Sequence, residues 1–371
     1  MMISTLGVYS SGSTWVFNVV RRLLKQRGGK VFSMFTEEGH DLLSYNNINM
    51  DVIVTKSHHF DLDFIRILGI SSSKIIISVR DPRDCVVSLM QRFSLNDSDA
   101  ISRVSRSSSV VAMVKNQLKN LTFFYEDAYF SNEETIANIA EFLEIKISSE
   151  VIKDIYSEYQ RENMSCVIKG RFKDSISNMD YDNDTHWHPG HIGDGKVGKW
   201  KDVLSNCAAQ SIYDAIHPLC YQEFKAGCSL IWSAYFFKYT DDRSLDDGNV
   251  IETGMDSQLR IYGPYLYLPA GRWRIDFRFR AMEPAHQSML MIEAILGYGK
   301  AVLGVSSARL SGAQEQCFGF EFEHMEFFHP IEARIHAMNY GSLSKVEFLG
   351  VTLTYMACPI RHNGKATAIV I

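Results

Sequence analysis

The first part of the chain alternates short apolar runs with segments of helical spacing. The apolar runs that predict buried strands are Ile3–Tyr9, Asp51–Lys56, Lys74–Arg80 and Asn120–Tyr125. Between them, apolar residues recur every three or four positions, which predicts helices packed on one face. These helical segments are Thr14–Gln26, the stretch that opens at Pro82, and Asn132–Leu143. Strands that alternate with helices predict a parallel sheet of the α/β class.

After about residue 225 the pattern changes to strict alternation. Apolar Trp273, Ile275, Phe277 and Phe279 alternate with charged residues, and similar runs lie at 318–323 and 344–355. This period of two, with Gly/Pro turns between runs, predicts a mostly antiparallel, jelly-roll-like β-sandwich. We therefore predict a first domain over 1–225, a linker over 226–250 around the polar stretch DDRSLDDGN, the sandwich over 251–358 and a tail over 359–371.

Composition narrows the classes of partner. The formal net charge is −5, so bulk charge will not hold nucleic acid, and any anion must be met by a local cluster. The seven cysteines are scattered and form no C-x-x-C pair, which is typical of reduced thiols. No apolar run approaches the ~18 residues that a membrane span requires, and no leader pattern opens the chain. These features predict a cytoplasmic protein without a membrane span. They say nothing of its oligomeric state.

The stretch GVYSSGSTW, from Gly7 to Trp15, resembles a phosphate-binding P-loop at a strand-to-helix turn. Such a turn offers backbone N–H groups and the positive end of the helix dipole to an anion. Ser13 occupies the position of the lysine that reaches the β- and γ-phosphates of ATP or GTP. The loop is therefore either a simple turn or a site for a different phosphate.

A second candidate anion site follows the strand KIIISVR. Arg80 lies at the predicted carboxyl end of this strand, and Ser88 follows on the helix opened by Pro82. In a parallel sheet, ligands bind at that edge, where an arginine fork and a hydroxyl would clamp a phosphate. The alternative is that Arg80 and Arg83 form surface ion pairs with the neighbouring aspartates.

Four ordered motifs, YSSGSTW, VRDPRDCVVS, FFYED and GKVGKWK, resemble those of sulfotransferases that use 3′-phosphoadenosine 5′-phosphosulfate. The resemblance covers roughly residues 1–225 and implies a P-loop-like sulfotransferase domain. It implies that Ser11–Thr14 hold the 5′-phosphosulfate, that Arg80 and Ser88 hold the 3′-phosphate, and that the segment His191–Lys201 closes over it. The full set of donor-binding candidates is Ser10, Ser11, Gly12, Ser13, Thr14, Trp15, Arg80, Ser88, Tyr125, Gly195 and Lys196.

Two positions depart from the family pattern. The family usually has a lysine where Ser10 stands, and an arginine–lysine pair where Gly193–Asp194 stands. Lys196, Lys199 and His191 are the nearby candidates to compensate for these losses.

The segment TKSHHF supplies the candidate reacting groups at the end of a strand. Transfer to a hydroxyl needs a base of moderate pKa and a cation near the leaving oxygen. By resemblance, His58 is the base and Lys56 the cation, with His59 as the adjacent alternative. The stretch DYDNDTHWHPGH fails the EF-hand pattern, and its histidines lack further ligands at zinc spacing, so no metal is expected.

The acceptor is expected to be a glycan or another hydroxyl-bearing molecule. The run IYGPYLYLPAGRWRIDF resembles modules of bacterial carbohydrate-active proteins, and its aromatic residues either stack on sugar rings or form the sandwich core. Arginines at 272, 274, 278 and 280 share one strand face, which is either solvated or binds a sugar or sulfate. Two alternatives to an active sulfotransferase stay open: a catalytically degenerate saccharide-binding protein and a P-loop kinase.

Overall fold

The computed structural model describes residues 1–44, 49–71, 73–173, 181–189, 191–240, 249–253, 257–282, 288–338 and 344–357. These residues form two compact units. The first ends at Val203 and the second begins at Leu204.

The first unit has a five-stranded parallel sheet with helices, which confirms the predicted α/β class. Its strands are β1 (Met2–Gly7), β2 (Val31–Phe35), β3 (Val52–Ser57), β4 (Lys74–Val79) and β5 (Asn120–Phe124). Its α-helices are α1 (Ser13–Arg27), α2 (Gly39–Ser44), α3 (Leu62–Ile70), α4 (Pro82–Phe93), α5 (Asp97–Gln117), α6 (Glu133–Phe142), α7 (Ser149–Glu158) and α8 (Arg161–Arg171). Short 3-10 turns cover Tyr125–Asp127, Tyr129–Ser131 and Lys199–Asp202.

Sheet topology brings three chain segments to one edge. The strand order is β2-β3-β1-β4-β5, so β1 lies between β3 and β4. Leu6 pairs with Ser57, and Gly7 pairs with Ser78, so the carboxyl ends of these three strands lie side by side. The residues that follow each strand therefore meet at the sheet edge where α/β proteins bind ligands.

Local sequence explains the two helices at this edge. Helix α1 begins after Gly12 and buries the predicted apolar stripe that includes Val16, Val20 and Leu23. Helix α4 has Pro82 in its first turn, and the Asp81 carboxylate accepts the Arg83 backbone N–H at 2.9 Å. A proline and an acidic cap at these positions are typical of helix starts.

The hydrophobic pattern does not predict α5, a helix of 21 residues. Its buried face carries many serines, among them Ser105, Ser107, Ser108 and Ser109. Serine is small enough to pack in a core but is read as polar, so the helical stripe is hidden in the sequence. The residues from Asp97 to Gln117 are nevertheless helical.

The second unit contains α9 (Asn206–Tyr221), a 3-10 turn over Ala234–Phe236 and two antiparallel sheets, which confirms the predicted β-sandwich. One sheet has the order β13-β10-β15-β6, with β8 also paired to β15; the other has the order β12-β11-β14-β9-β7. The strands are β6 (Ser229–Trp232), β7 (Lys238–Tyr239), β8 (Val250–Thr253), β9 (Gln258–Leu266), β10 (Gly271–Ala281), β11 (Ser288–Leu296), β12 (Ala301–Leu310), β13 (Glu315–His324), β14 (Ile331–Ala337) and β15 (Ser344–Ala357).

Strand β10 shows how the alternation is used. Trp273 is fully buried, and its indole N–H donates to the Pro269 carbonyl at 3.0 Å, so it belongs to the core and not to a sugar-stacking surface. The arginines of β10 face outward and form ion pairs, for example Arg280 with Glu347 at 3.1 Å. That face is therefore a solvated outer surface.

The range 226–250, predicted as a linker, contains strands β6 and β7. Residues 241–248 and the predicted tail 359–371 lie outside the described residues. The domain boundaries drawn from the sequence stay a prediction. Within the described residues, no helix has the length and apolar character that crossing a membrane requires.

Candidate active site

A cavity of about 920 Å³ lies in the first unit at the carboxyl edge of the parallel sheet. All but two of the site residues predicted from the sequence line it. The residues that do so are Ser10, Gly12, Ser13, Thr14, Trp15, Lys56, His58, Arg80, Ser88, Tyr125 and Gly195. The side chains of Ser11 and Lys196 are not brought to the cavity wall.

The turn between β1 and α1 is held in a conformation suited to an anion. Ser10 has φ +61° and Gly12 has φ +87°, and α1 starts with no acidic residue in its first turn. The Tyr129 hydroxyl donates to the Ser11 carbonyl at 2.7 Å, and the Ser11 hydroxyl bonds the Ser78 hydroxyl at 2.8 Å. Ser11 thus fixes the turn, while the start of α1 faces the cavity and offers N–H groups to a phosphate.

Arg80 connects this turn to the second predicted anion site. Its side chain is 4% exposed, and it donates to the Ser10 carbonyl at 3.2 Å and to the Lys196 carbonyl at 2.9 Å. The guanidinium also lies over the Tyr125 ring, 4.1 Å from its centroid, which favours a fixed orientation. Arg80 therefore points at the first junction. Its own ion pair, with Asp84 at 3.7 Å, is buried and not on the surface, whereas Arg83 does pair with a neighbouring aspartate, Asp81, at 2.6 Å.

Asp84 ties the segment predicted to close over the site to the start of α4. Its fully buried carboxylate accepts the backbone N–H groups of Gly198 at 2.7 Å and of Trp200 at 3.1 Å. Arg83 lies over the Trp200 ring at 3.9 Å. These contacts hold residues 195–200 beside Arg80.

The two lysines of this segment point to different places. The Lys196 ammonium is exposed and pairs with Asp202 at 2.5 Å, whereas Lys199 lines the cavity. Of the candidates named to compensate for the missing family cations, Lys199 therefore brings an ammonium group to the cavity.

Lys56 and His58 lie on the cavity wall at the end of β3. Burial and the nearby Arg92 lower the pKa of Lys56 from 10.5 to about 8. Burial and Lys56 hold the pKa of His58 well below its usual 6.5. The His58 Nδ1 atom is 2.8 Å from the Gly7 carbonyl, which can only accept, so Nδ1 carries the proton. His58 is therefore neutral, with an unprotonated Nε2.

His59, the alternative base, is placed differently. Its Nε2 lies 2.8 Å from the Glu37 carboxylate, and the residue does not line the cavity. The two adjacent histidines lie in the bend that follows the last residue of β3, Ser57, and face different surroundings.

Several cavity residues escape the sequence analysis. Arg92, Arg103 and Arg161 line the wall, and Arg161 donates to the Gly193 carbonyl. Arg92 follows Ser88 by four residues on α4, and this helical spacing is the signal that would have found it. His186 and His188, which the sequence shows only as histidines without further zinc ligands, line the same cavity, as does the candidate His191.

The cavity is strongly cationic within a chain of net charge −5. Among the described residues, six cationic side chains and two acidic ones line it; the cations are Lys56, Arg80, Arg92, Arg103, Arg161 and Lys199. Burial lowers the pKa values of His186 and His188 to about 4, so they add no charge near neutral pH. Such a local cluster suits a ligand that carries several negative charges.

Two unsatisfied donors fit a phosphate-bearing ligand. Within the described residues, neither the buried Ser10 hydroxyl nor the buried Arg80 Nε has a hydrogen-bond partner. Buried polar groups are normally paired, so these atoms point to a ligand with acceptor oxygens between the two junctions.

One family model covers more than half of the chain. The family model described as "Sulfotransferase domain" matches residues 3–225. A solved retinol dehydratase in complex with androsterone and inactive cofactor PAP is 18% identical, with a TM-score of 0.45, over 60% of this chain and 81% of that one. Mouse sulfotransferase SULT7A1 complexed with PAP is 15% identical, with a TM-score of 0.43, over 56% of this chain and 80% of that one.

Other similar structures cover a smaller share of the chain. The C-terminal CBM6 of LamC from Zobellia galactanivorans is 12% identical, with a TM-score of 0.23, over 34% of this chain and 99% of that one. The search of curated proteins found no match.

Proposed function

Because this chain belongs to the sulfotransferase family, we propose that it transfers a sulfuryl group from 3′-phosphoadenosine 5′-phosphosulfate to a hydroxyl of a glycan. The observation that carries the proposal is the convergence of two anion-binding junctions on one cavity. Arg80, from the second junction, donates to the Ser10 carbonyl of the first. A nucleotide with anions at two separate positions is the ligand that such a pair suits.

The donor lies along the sheet edge. The turn at Ser10–Thr14 and the start of α1 hold the 5′-phosphosulfate, and Arg80 with Ser88 holds the 3′-phosphate. Trp15 and Tyr125 line the same cavity and are the aromatic groups for the adenine. Ser10 and Arg80 have the unpaired donors that the phosphate oxygens would satisfy. No metal is needed in this arrangement, because the cations are side chains.

His58 is the general base of the proposed reaction. Its unprotonated Nε2 takes the proton of the acceptor hydroxyl as the acceptor oxygen bonds to sulfur. The bond between sulfur and the bridging oxygen of the 5′-phosphosulfate breaks, and its electron pair stays on that oxygen. Lys56 stabilises the charge that develops there, which leaves 3′,5′-adenosine bisphosphate and a sulfate ester as products.

The second unit is proposed to bind saccharide. On its surface, Tyr298 is 73% exposed and stacks on Tyr265 at a centroid distance of 5.0 Å. An exposed aromatic face of this kind is suited to stacking with a sugar ring. This feature supports a glycan as the acceptor class.

Calorimetry with 3′,5′-adenosine bisphosphate and with ATP tests the donor assignment. We expect the bisphosphate to bind at least tenfold more tightly, because the cavity has two separate anion sites and lacks the P-loop lysine. A preference for ATP would support a kinase instead. No binding of either nucleotide, with the chain folded, would support a degenerate saccharide-binding protein.

The base assignment is tested with His58→Ala and, as its matched control, His59→Ala. We expect His58→Ala to lower the rate of sulfuryl transfer about 10²- to 10⁴-fold, the usual contribution of general-base catalysis, with bisphosphate affinity retained. His59→Ala removes the adjacent imidazole outside the cavity and should leave the rate within a few fold. Unchanged turnover of His58→Ala would remove it from the mechanism.

A further inference from the structure

We propose that Arg92 selects an acceptor saccharide that carries a carboxylate, that is, a uronic acid residue placed beside the reacting hydroxyl. This inference rests on the proposed function, because it divides the cavity between a donor and an acceptor. It names an acceptor class that the fold and the family leave open.

Arg92 lies on the cavity wall beyond the second anion junction. It follows Ser88 by four residues on α4, which places it on the same helix face about 6 Å further along the helix axis. Its guanidinium donates to the His191 carbonyl at 2.8 Å. The adjacent Phe93 ring is 6.2 Å from the His188 ring, so this end of α4 borders the segment 186–191.

The charge on Arg92 lacks a carboxylate partner. Within the described residues, its hydrogen bond goes to a carbonyl and it takes part in no ion pair, while Lys56 and Arg80 lie near enough to repel it. Burial, and after it the repulsion from Arg80, lower the pKa of Arg92 to about 10, which still leaves it charged at neutral pH. A partly buried charge without a counter-ion is costly, so an anion from a ligand is the natural partner.

The donor already has groups for each of its anions. The first junction meets the phosphosulfate, and Arg80 with Ser88 meets the 3′-phosphate. Arg92 instead lies where His188, His191 and Phe93 form the wall. The cavity of about 920 Å³ is at the upper end of the 300–1,000 Å³ that ligand sites span, which leaves room for an acceptor beside the donor.

The chemistry of the site favours a carboxylate on a sugar ring. A guanidinium presents two parallel N–H groups that match the two oxygens of a carboxylate. His58 lies close enough to Arg92 for the two to interact electrostatically, so the acid group would be held near the reacting hydroxyl. An acceptor with this group would be positioned by a charged contact as well as by its ring.

The experiment compares p-nitrophenyl β-glucuronide with p-nitrophenyl β-glucoside, which differ only at C6, a carboxylate in the first and a hydroxymethyl group in the second. Because the C6 hydroxyl of the glucoside is itself an acceptor, only transfer to the ring hydroxyls that the two glycosides share is compared. Transfer to each is measured with the full chain, with Arg92→Gln and Arg92→Lys, and with Arg66→Gln as the control. Arg66 is an exposed arginine that pairs with Asp63 outside the cavity. Calorimetry with 3′,5′-adenosine bisphosphate on each variant reports the donor site separately.

We expect the wild type to prefer the glucuronide, and Arg92→Gln to lose about 10- to 100-fold in kcat/KM for it through KM, as for a lost charged hydrogen bond. Bisphosphate affinity should stay within a few fold. Because Arg92 also lies near Lys56 and His58, the two acceptors are compared as a ratio of kcat/KM values: Arg92→Gln should lose the preference for the glucuronide, and Arg92→Lys should recover part of it. Arg66→Gln should resemble the wild type.

Three results would overturn the inference. Equal wild-type activity on the two acceptors would show that the carboxylate is not read. Equal loss on both acceptors in Arg92→Gln would show that Arg92 only anchors the segment at His191. Weaker bisphosphate binding in Arg92→Gln would assign Arg92 to the donor. Failure of the wild type to bind the bisphosphate would instead refute the proposed function, and the inference with it.

Discussion

Replacing Lys56 by methionine should stabilise the folded chain at neutral pH while it removes activity. Lys56 is 5% exposed, and it is charged at pH 7 with a pKa of about 8 against 10.5 for an ordinary lysine. Each pKa step corresponds to about 1.36 kcal/mol, so keeping this side chain charged costs the folded state about 3 kcal/mol.

The substitution also loses one favourable contact. The Lys56 ammonium lies 5.1 Å from the centroid of the Phe35 ring, a cation–π contact whose value is about 0.5–1 kcal/mol. Methionine keeps the unbranched apolar stem. The net gain for Lys56→Met is therefore about 2 kcal/mol at pH 7. For a unit of this size it corresponds to a rise in Tm of about 4–8 °C.

The pH dependence of the stability difference between Lys56→Met and the wild type is a second test of the predicted stabilisation. Between about pH 8 and pH 10.5 the unfolded chain keeps the Lys56 proton and the folded chain has lost it, so wild-type stability rises with pH from this group. The advantage of Lys56→Met should therefore be full below pH 8 and fade as pH approaches 10.5. The difference between the two proteins isolates Lys56 from other titrating groups.

The assay is thermal unfolding of the full chain. The transition that is followed is the one whose Tm rises when 3′,5′-adenosine bisphosphate is added, because that transition reports the first unit. Lys146→Met, at an exposed lysine, is the control and should change stability by no more than about 0.5 kcal/mol. A Lys56→Met variant that is less stable than the wild type at pH 7 would refute the reasoning. So would a difference that stays constant between pH 8 and 10.5.

Two further predictions concern the backbone around the site. Asp84→Asn turns one carboxylate oxygen into an N–H donor facing the N–H of Gly198 or Trp200, so we expect bisphosphate affinity to fall by about 2–3 kcal/mol, measured by calorimetry. Asp154→Asn, at an exposed site, should leave bisphosphate affinity unchanged. If Asp84→Asn binds the bisphosphate as tightly as Asp154→Asn does, the contacts of Asp84 with Gly198 and Trp200 do not support the site. Gly12→Ala places a Cβ against the Tyr129 hydroxyl at φ +87°, and should cost about 2–4 kcal/mol of stability with loss of bisphosphate binding. Gly28→Ala, at φ +77° in open space, should lose only about 1–2 kcal/mol of stability. If urea unfolding shows equal losses of stability for the two variants, the predicted clash with the Tyr129 hydroxyl is wrong.

Local pattern was enough to predict the sheet-to-helix junctions. The turn at Gly7–Trp15 and the segment from Arg80 to Ser88 each combine a buried strand, a polar turn and a helix start within a few residues. Because the ends of neighbouring parallel strands share an edge, such segments can be placed together without knowing any long-range contact. The alternation of β10 predicted its buried and solvated faces in the same way.

Other features of the site were beyond local pattern. Whether His58 or His59 lines the cavity depends on how the chain turns after β3 ends at Ser57. The tautomer of His58 is fixed by the Gly7 carbonyl, which is 51 positions away in the sequence. Helix α5 was missed because the serines of its buried face count as polar in the hydrophobic pattern, although they are small enough to pack in the core.

The amino-acid sequence by itself determined the α/β class of the first unit, four of its five strands, the two candidate anion junctions and the alternating core of the second unit. These depend on periodicity and turn chemistry over a few residues. Only the tertiary structure decided that Arg92 and Arg161 enter the cavity, that Lys196 does not, and that Asp84 holds Gly198, 114 positions further on. Such contacts depend on which elements pack together. The sequence alone does not distinguish a lysine or arginine that will line the cavity from one that will be exposed to solvent.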